Sequence, residues 1–221
     1  MQSTLLGRVG WLALLAVTTA FVAIVAAHTV GAARSGPDLR PVLGEPPCAA
    51  PCWRNITPGI TPLLDAVQAI YGDPALEDLS VNVRSATWWW NGKQPVALSH
   101  RPRPFDGRMI FENDSADSTV DGLALMTSLT LGDLYSVLGP PQRHVLYFPP
   151  EPSNPGAVYA AQYRHLTIFS TLQCPLDPAD FWGAEAGVVF GEISLELGGE
   201  TTTVRGSPQE PIRALMDHCT S

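Results

Sequence analysis

Thr130-Leu131-Gly132-Asp133-Leu134-Tyr135-Ser136-Val137-Leu138-Gly139-Pro140-Pro141 carries a helix with both ends written into its residues. Thr130 suits the N-cap, and Asp133 three positions on completes a capping-box pattern. Leu134, Val137 and Leu138 form an apolar stripe at helical spacing, and Gly139 with the prolines after it stops the helix. The same grammar stands earlier in Thr61-Pro62-Leu63-Leu64-Asp65-Ala66-Val67-Gln68-Ala69-Ile70-Tyr71-Gly72. There Thr61 reads as the N-cap and Pro62 as the first helical residue. Leu63, Val67, Ile70 and Tyr71 form the stripe, and Gly72 and Pro74 end it. Laying Gly72 over Gly139 places Val67 on Leu134, Ile70 on Val137, Tyr71 on Leu138 and Pro74 on Pro141, a constant offset of 67 residues. Two such helices, each followed by strand-forming residues, predict an internal repeat.

Working outward, Val81 to Trp90 is rich in β-formers and ends at Asn91-Gly92, the residue pair of a two-residue hairpin. Further strands are expected at Arg108 to Glu112, Val120 to Thr127, His144 to Phe148, Val158 to Tyr163, Leu166 to Thr171 and Val188 to Leu197. Pro149 to Gly156 reads as a loop, Asp177-Pro178-Ala179-Asp180 as a capped helical turn, and Pro211 to Cys219 as a short helix. The fold class expected is α+β. It has two tandem helix-plus-antiparallel-β-meander units, residues 53–129 and 130–221, sharing one core. They follow an N-terminal membrane or signal segment (residues 1–34) and a proline-rich stalk (residues 35–52).

Val9 to Ala27 holds 19 residues with no charge and no proline. As a helix it would be about 28 Å long, close to the ~30 Å hydrocarbon core of a bilayer. It reads as an uncleaved single-pass anchor with the C-terminal domain outside the cell. A cleaved signal is the alternative, because Val25-Ala26-Ala27 and Gly31-Ala32-Ala33 offer small residues for a peptidase. The prolines of the stalk favour an extended, semi-rigid spacer. Removing the two arginines of residues 1–34 leaves 11 bases against 21 acids. A surface of that charge repels phosphate backbones, which excludes nucleic acid as a partner.

Cys48, Cys52, Cys174 and Cys219 make an even set, which in an exported chain points to disulfides. A Cys48–Cys52 bond closes a small ring through Pro51, so each of these two is expected to reach a distant partner instead. Closing a loop of about 120 residues stabilises by roughly 4–5 kcal/mol. The spacing fits neither a zinc site nor a Cys-x-x-Cys redox pair.

The pattern Thr130-x-x-Asp133-Leu134-x-x-Val137-Leu138-Gly139-x-Pro141 ahead of a β-meander resembles the BamE-like (SmpA/OmlA) outer-membrane assembly lipoproteins. Gly59-Ile60-Thr61 is similar to that family's Gly-Met-Thr start. The resemblance implies a helical pair packed on a three-stranded antiparallel sheet, and a non-catalytic role in binding partner proteins at a membrane. The chain departs from the family in its anchor, which replaces a lipidated cysteine, in its two units and in its four later cysteines.

No known catalytic, nucleotide or metal motif occurs, so no catalytic, cofactor or metal residue is assigned. His28, His100, His144, His165 and His218 are scattered. The acidic run Glu112 to Asp117 lacks the ligand order of a calcium loop and reads as a solvated turn. In a strand, Trp88 and Trp90 of Trp88-Trp89-Trp90 share a face and Trp89 takes the other. Trp88 and Trp90, with the basic Arg101 and Arg103 nearby, form the candidate interaction face, and core packing is the competing reading. The function expected is a membrane-tethered, non-enzymatic module that binds a protein partner in the cell envelope. The alternative is binding of a small ligand or cell-wall glycan on the tryptophan face, and a hydrolase ranks third. The sequence sets no oligomeric state.

Overall fold

Among the described residues four strands follow the first of two main helices and five follow the second, and the fourth strand of each set pairs with the fourth of the other. The computed structural model describes residues 38–45, 48, 49, 51–99, 104–113, 115, 118–148, 156–191, 200–204 and 209–220. A lead-in comes first: helix α1 (Arg40–Leu43) and the antiparallel ribbon of β1 (Gly44–Glu45) and β2 (Cys48–Ala49). Helix α2 (Leu63–Tyr71) then precedes β3 (Leu76–Val81), β4 (Ser85–Trp90), β5 (Gly107–Phe111) and β6 (Val120–Thr130). Helix α3 (Leu131–Leu138) precedes β7 (Arg143–Phe148), β8 (Gly156–Gln162) and β9 (Leu166–Gln173). A short α4 (Pro178–Gly183), β10 (Glu185–Gly191), β11 (Glu200–Val204) and α5 (Gln209–Thr220) complete the order.

Among the described residues, β3 to β11 form one antiparallel sheet of nine, in the order β11-β7-β8-β9-β10-β6-β5-β4-β3. This corrects the expectation of two tandem helix-plus-meander units. The physical reason lies in β6 and β10, where Leu123, Ala124, Leu125, Val188, Val189 and Phe190 are all buried. A strand buried on both faces belongs inside a sheet, not at its edge. Each strand therefore takes the other as neighbour, with Val188 opposite Leu125 and Val189 opposite Ala124. The arrangement implied by the family resemblance, two helices on three strands, is not the one found either. The expected spanning segment Val9 to Ala27 lies outside the described residues. Among the described residues no helix is long and apolar enough to cross a membrane.

Local chemistry explains both main helices. At α3 the Thr130 hydroxyl accepts from the Asp133 N–H at 3.1 Å, and the Asp133 carboxylate accepts from the Thr130 N–H at 2.9 Å. A second capping box, Asp177 with Asp180, opens α4. Helix α2 starts differently: no side chain caps it. Thr61 instead accepts from the Thr57 N–H at 2.7 Å, and backbone bonds from Leu63 to Ser118 and from Val120 to Thr61 seat the helix start beside β6. Leu63, Ala66 and Ile70 point inward from α2, and Leu131 and Leu134 from α3. The inward positions of the two helices therefore match at an offset of 68 residues, not 67. Tyr71 and Val137, both expected in the buried stripes, are 75% and 55% exposed.

Val81 to Trp90 is not a single strand. Its start belongs to β3, and the chain turns at residues 82–84 into β4. Asn91-Gly92 makes no two-residue hairpin and instead opens the long connection to β5. There Asn91 donates its backbone N–H to Ala75 at 2.9 Å and its side-chain amide to Pro74 at 3.1 Å. Later in that connection, Ala97 to Ser99 bonds to β6 beyond the end of β5, through Ser99 to Met126 and Ser128 to Ala97.

One apolar cluster joins both halves: Trp53, Ile70, Trp88, Trp90, Leu125, Leu134, Tyr159, Val188 and Phe181 all belong to it. Leu39 and Val42 belong to it as well, so the described start of the expected stalk packs into the domain. Gly107 faces Trp88 across the sheet, and a Cβ there would lie 2.1 Å from the indole. Only glycine admits that ring. The opposite sheet face carries Trp89, Arg108, Ile110, Met126 and Phe169, all half-buried.

Candidate interaction face

The structure moves the tryptophans inside. Trp88 and Trp90 are both fully buried. Trp53 stacks on Trp88 with centroids 6.1 Å apart, and Trp88 meets Trp90 edge-on at 6.1 Å. The Arg54 guanidinium lies over Trp53 at 4.8 Å and Trp90 at 5.2 Å, and it pairs with Asp73. Alternation within β4 is as expected, but the Trp88 and Trp90 side is a core side, unavailable as a glycan platform. Arg101 and Arg103 lie outside the described residues.

The cysteine pairing also needs correction. Cys48 bonds Cys52 and Cys174 bonds Cys219, with Cα atoms 5.0 Å and 5.3 Å apart. The small ring forms because Gly44, at φ 77°, lets the ribbon fold back on itself. A Cβ there would lie 2.1 Å from the Cys48 carbonyl oxygen. The bond between Cys174 and Cys219 ties α5 to the end of β9. With a separation of 45 residues it supplies about 4 kcal/mol of chain-entropy stabilisation, against about 2 kcal/mol for the small ring.

The surface feature that sequence reading missed is the outward side of α2. Seven of the nine residues of LLDAVQAIY are apolar. Only Leu63, Ala66 and Ile70 are buried. Leu64 and Tyr71 are seven residues apart, two turns, so they lie on one side of the helix about 10 Å apart along its axis. They are 51% and 75% exposed, and Ile60 in the preceding turn is 72% exposed. Exposed Gln68 lies between Leu64 and Tyr71. A helix apolar nearly all round is normally buried all round. Three open side chains of this size leave on the order of 300–400 Å² of apolar surface, comparable to the largest patch on a typical monomer. The signal was present in the composition of α2, which holds more apolar residues than one buried side can use.

A polar feature lies within the other half. The Tyr159 hydroxyl sits 2.7 Å from Nδ1 of His144, the Tyr135 hydroxyl 3.2 Å from the same atom, and the two hydroxyls bond each other. Phe181 and Trp182 pack edge-on over Tyr159 and Tyr135 at 5.0 Å and 5.1 Å. Burial raises the pKa of Tyr159 well above the ordinary phenol value, and the bond to Tyr135 adds to this. Burial likewise raises Tyr163, whose hydroxyl donates to Gly139 at 2.9 Å, and Tyr135. These phenols stay protonated, and the knot fastens α3 to β7 and β8. Among the described residues, no three His, Cys, Asp or Glu side chains converge to hold a metal.

Comparison with known proteins adds no family: no family model, no curated protein and no solved structure matches the chain.

Proposed function

We propose that this chain is a non-enzymatic binding module of the bacterial cell envelope, held at the membrane by its N-terminal segment and engaging a partner protein through the outward side of α2. The exposure of Leu64, Tyr71 and Ile60 on an otherwise well-packed domain carries this reading. The largest apolar patch of a monomer is often a functional surface. Two disulfides, with no free cysteine among the described residues, fit an oxidising compartment.

A photo-crosslinking residue placed at position 64 or 71 in the native host tests the reading. Both positions should give the same protein adduct. Val96, 91% exposed but in the loop before β5, is the control and should not give it. Equal adducts from Val96, or none from either α2 position, would refute the proposal.

A further inference from the structure

We infer that the Cys48–Cys52 disulfide is an exchange-active bond, opened by a protein dithiol, with Cys48 as the leaving thiolate. Three residues separate the two cysteines, not the two of a Cys-x-x-Cys motif, so the surroundings of the sulfur carry the inference. Cys48 and Cys52 are both half-buried, so the bond is not sealed in the core. Beside it, Trp53 and Ile56 bond each other through both backbone N–H groups, at 2.9 Å and 2.8 Å. Arg54 and Asn55 between them sit at φ 51° and 65°. Two left-handed central residues make a type I′ turn. That backbone is uncommon for a side chain as long as arginine. Its neighbours hold it there: Trp53 and Ile56 are buried, and the Arg54 guanidinium lies on two indoles and pairs with Asp73. A turn of this type leaves the N–H of its third residue unused by the turn itself. Here the Asn55 N–H donates to Cys48 Sγ at 3.0 Å.

A disulfide sulfur is a weak acceptor and a thiolate a strong one, so this fixed donor favours the open bond with charge on Cys48. A cavity of about 240 Å³, lined by Cys48, Arg40, Trp53 and Arg54 among others, gives the released sulfur access to water. Both guanidiniums are paired with acids, Arg40 with Asp38 and Arg54 with Asp73, which leaves the Asn55 N–H as the donor that acts on Cys48. Exchange runs faster through the sulfur that leaves more readily. A thiolate of the dithiol therefore attacks Cys52 Sγ, the S–S bond breaks, and Cys48 departs with the electron pair. The second thiolate of the dithiol then attacks the dithiol's own sulfur in the mixed disulfide and releases Cys52. The dithiol ends as a disulfide, and its two electrons and two protons end on Cys48 and Cys52 as two thiols. Non-covalent contacts hold the lead-in while the bond is open: Leu39 and Val42 lie in the core, and Trp53 Nε1–H donates to the Pro41 carbonyl at 2.8 Å.

The test exposes the full chain in phosphatidylcholine nanodiscs to reduced glutathione, followed by acid quenching, alkylation and tandem mass spectrometry. Cys48–Cys52 should open about tenfold or more faster than Cys174–Cys219 while the circular dichroism stays native. The first glutathione adduct should sit on Cys52. In a second arm, Cys52→Ser leaves Cys48 as a thiol and Cys48→Ser leaves Cys52 as one, and the pH dependence of iodoacetamide alkylation reads each. Cys48 should titrate below about 7.5, and Cys52 near or above the ordinary thiol value of about 8.5. The inference is overturned if both bonds open at one rate, if Cys48–Cys52 opens only as the native signal is lost, or if the first adduct sits on Cys48. A Cys48 thiol that titrates no lower than the Cys52 thiol overturns it as well. Should either serine chain fail to fold, the adduct on the unaltered chain decides.

Discussion

Ile70 and Tyr71 are neighbours in one helix with opposite fates, and substituting each by alanine separates them sharply. Ile70 is fully buried, and Tyr71 is 75% exposed. Ile70→Ala removes three carbon groups at about 0.8 kcal/mol each, roughly 2.4 kcal/mol in transfer energy. A residual cavity of about 50 Å³ adds about 1.2 kcal/mol, giving about 3.5 kcal/mol in total. In a domain of this size that corresponds to a Tm fall of roughly 7–14 °C. Tyr71→Ala loses little burial and gains helix propensity, so its effect stays within about 0.5 kcal/mol. Urea titration followed by tryptophan fluorescence measures both, with a lower midpoint and unchanged slope for Ile70→Ala. If Tyr71→Ala cost as much as Ile70→Ala, the orientation of α2 would be wrong and its outward apolar side would not exist.

Other consequences follow from the same geometry. Thr130→Ala and Asp133→Ala each remove half of the capping box of α3, and each should lower stability by about 1 kcal/mol, measured by urea titration. Peptide mapping without reduction should recover Cys48 joined to Cys52 and Cys174 joined to Cys219. Replacing the second pair with serine should cost about twice as much stability as replacing the first. Tyr135, Tyr159 and Tyr163 hold their protons more tightly folded than unfolded. Their contribution is therefore complete below the ordinary phenol pKa of about 10 and declines as pH rises beyond it. The urea midpoint should accordingly fall above about pH 10, and fall less in Tyr159→Phe.

What was legible in the sequence was local. The capping box at Thr130 and the capped turn at Asp177 need only residues three positions apart, and both formed as read. The alternation of Trp88, Trp89 and Trp90 was equally local, but which side would be core depended on Trp53, thirty-five residues earlier. Asn91-Gly92 misled because Asn91 bonds back to Ala75 and Pro74, at the open end of the β3–β4 hairpin, and turns no hairpin of its own. The inward side of α2 was misassigned because a helix apolar nearly all round gives periodicity no polar side to oppose. Ala66, too small to stand out, took a core position, and Tyr71 did not. The union of two meanders into one sheet rests on pairing between strands about sixty residues apart, Leu125 with Val188 for example. Its sign in the sequence was present but indirect: both strands are apolar on consecutive residues, so neither suits an edge.

Hydroxyl-radical footprinting of Leu64 and Tyr71, in purified protein and in intact cells, bears most directly on the docking role of α2. In purified protein both should react readily, in keeping with their exposure. In cells both should be protected several-fold while Val96 reacts equally in the two settings. Equal reactivity of Leu64 and Tyr71 in cells and in isolation would contradict the docking role of α2.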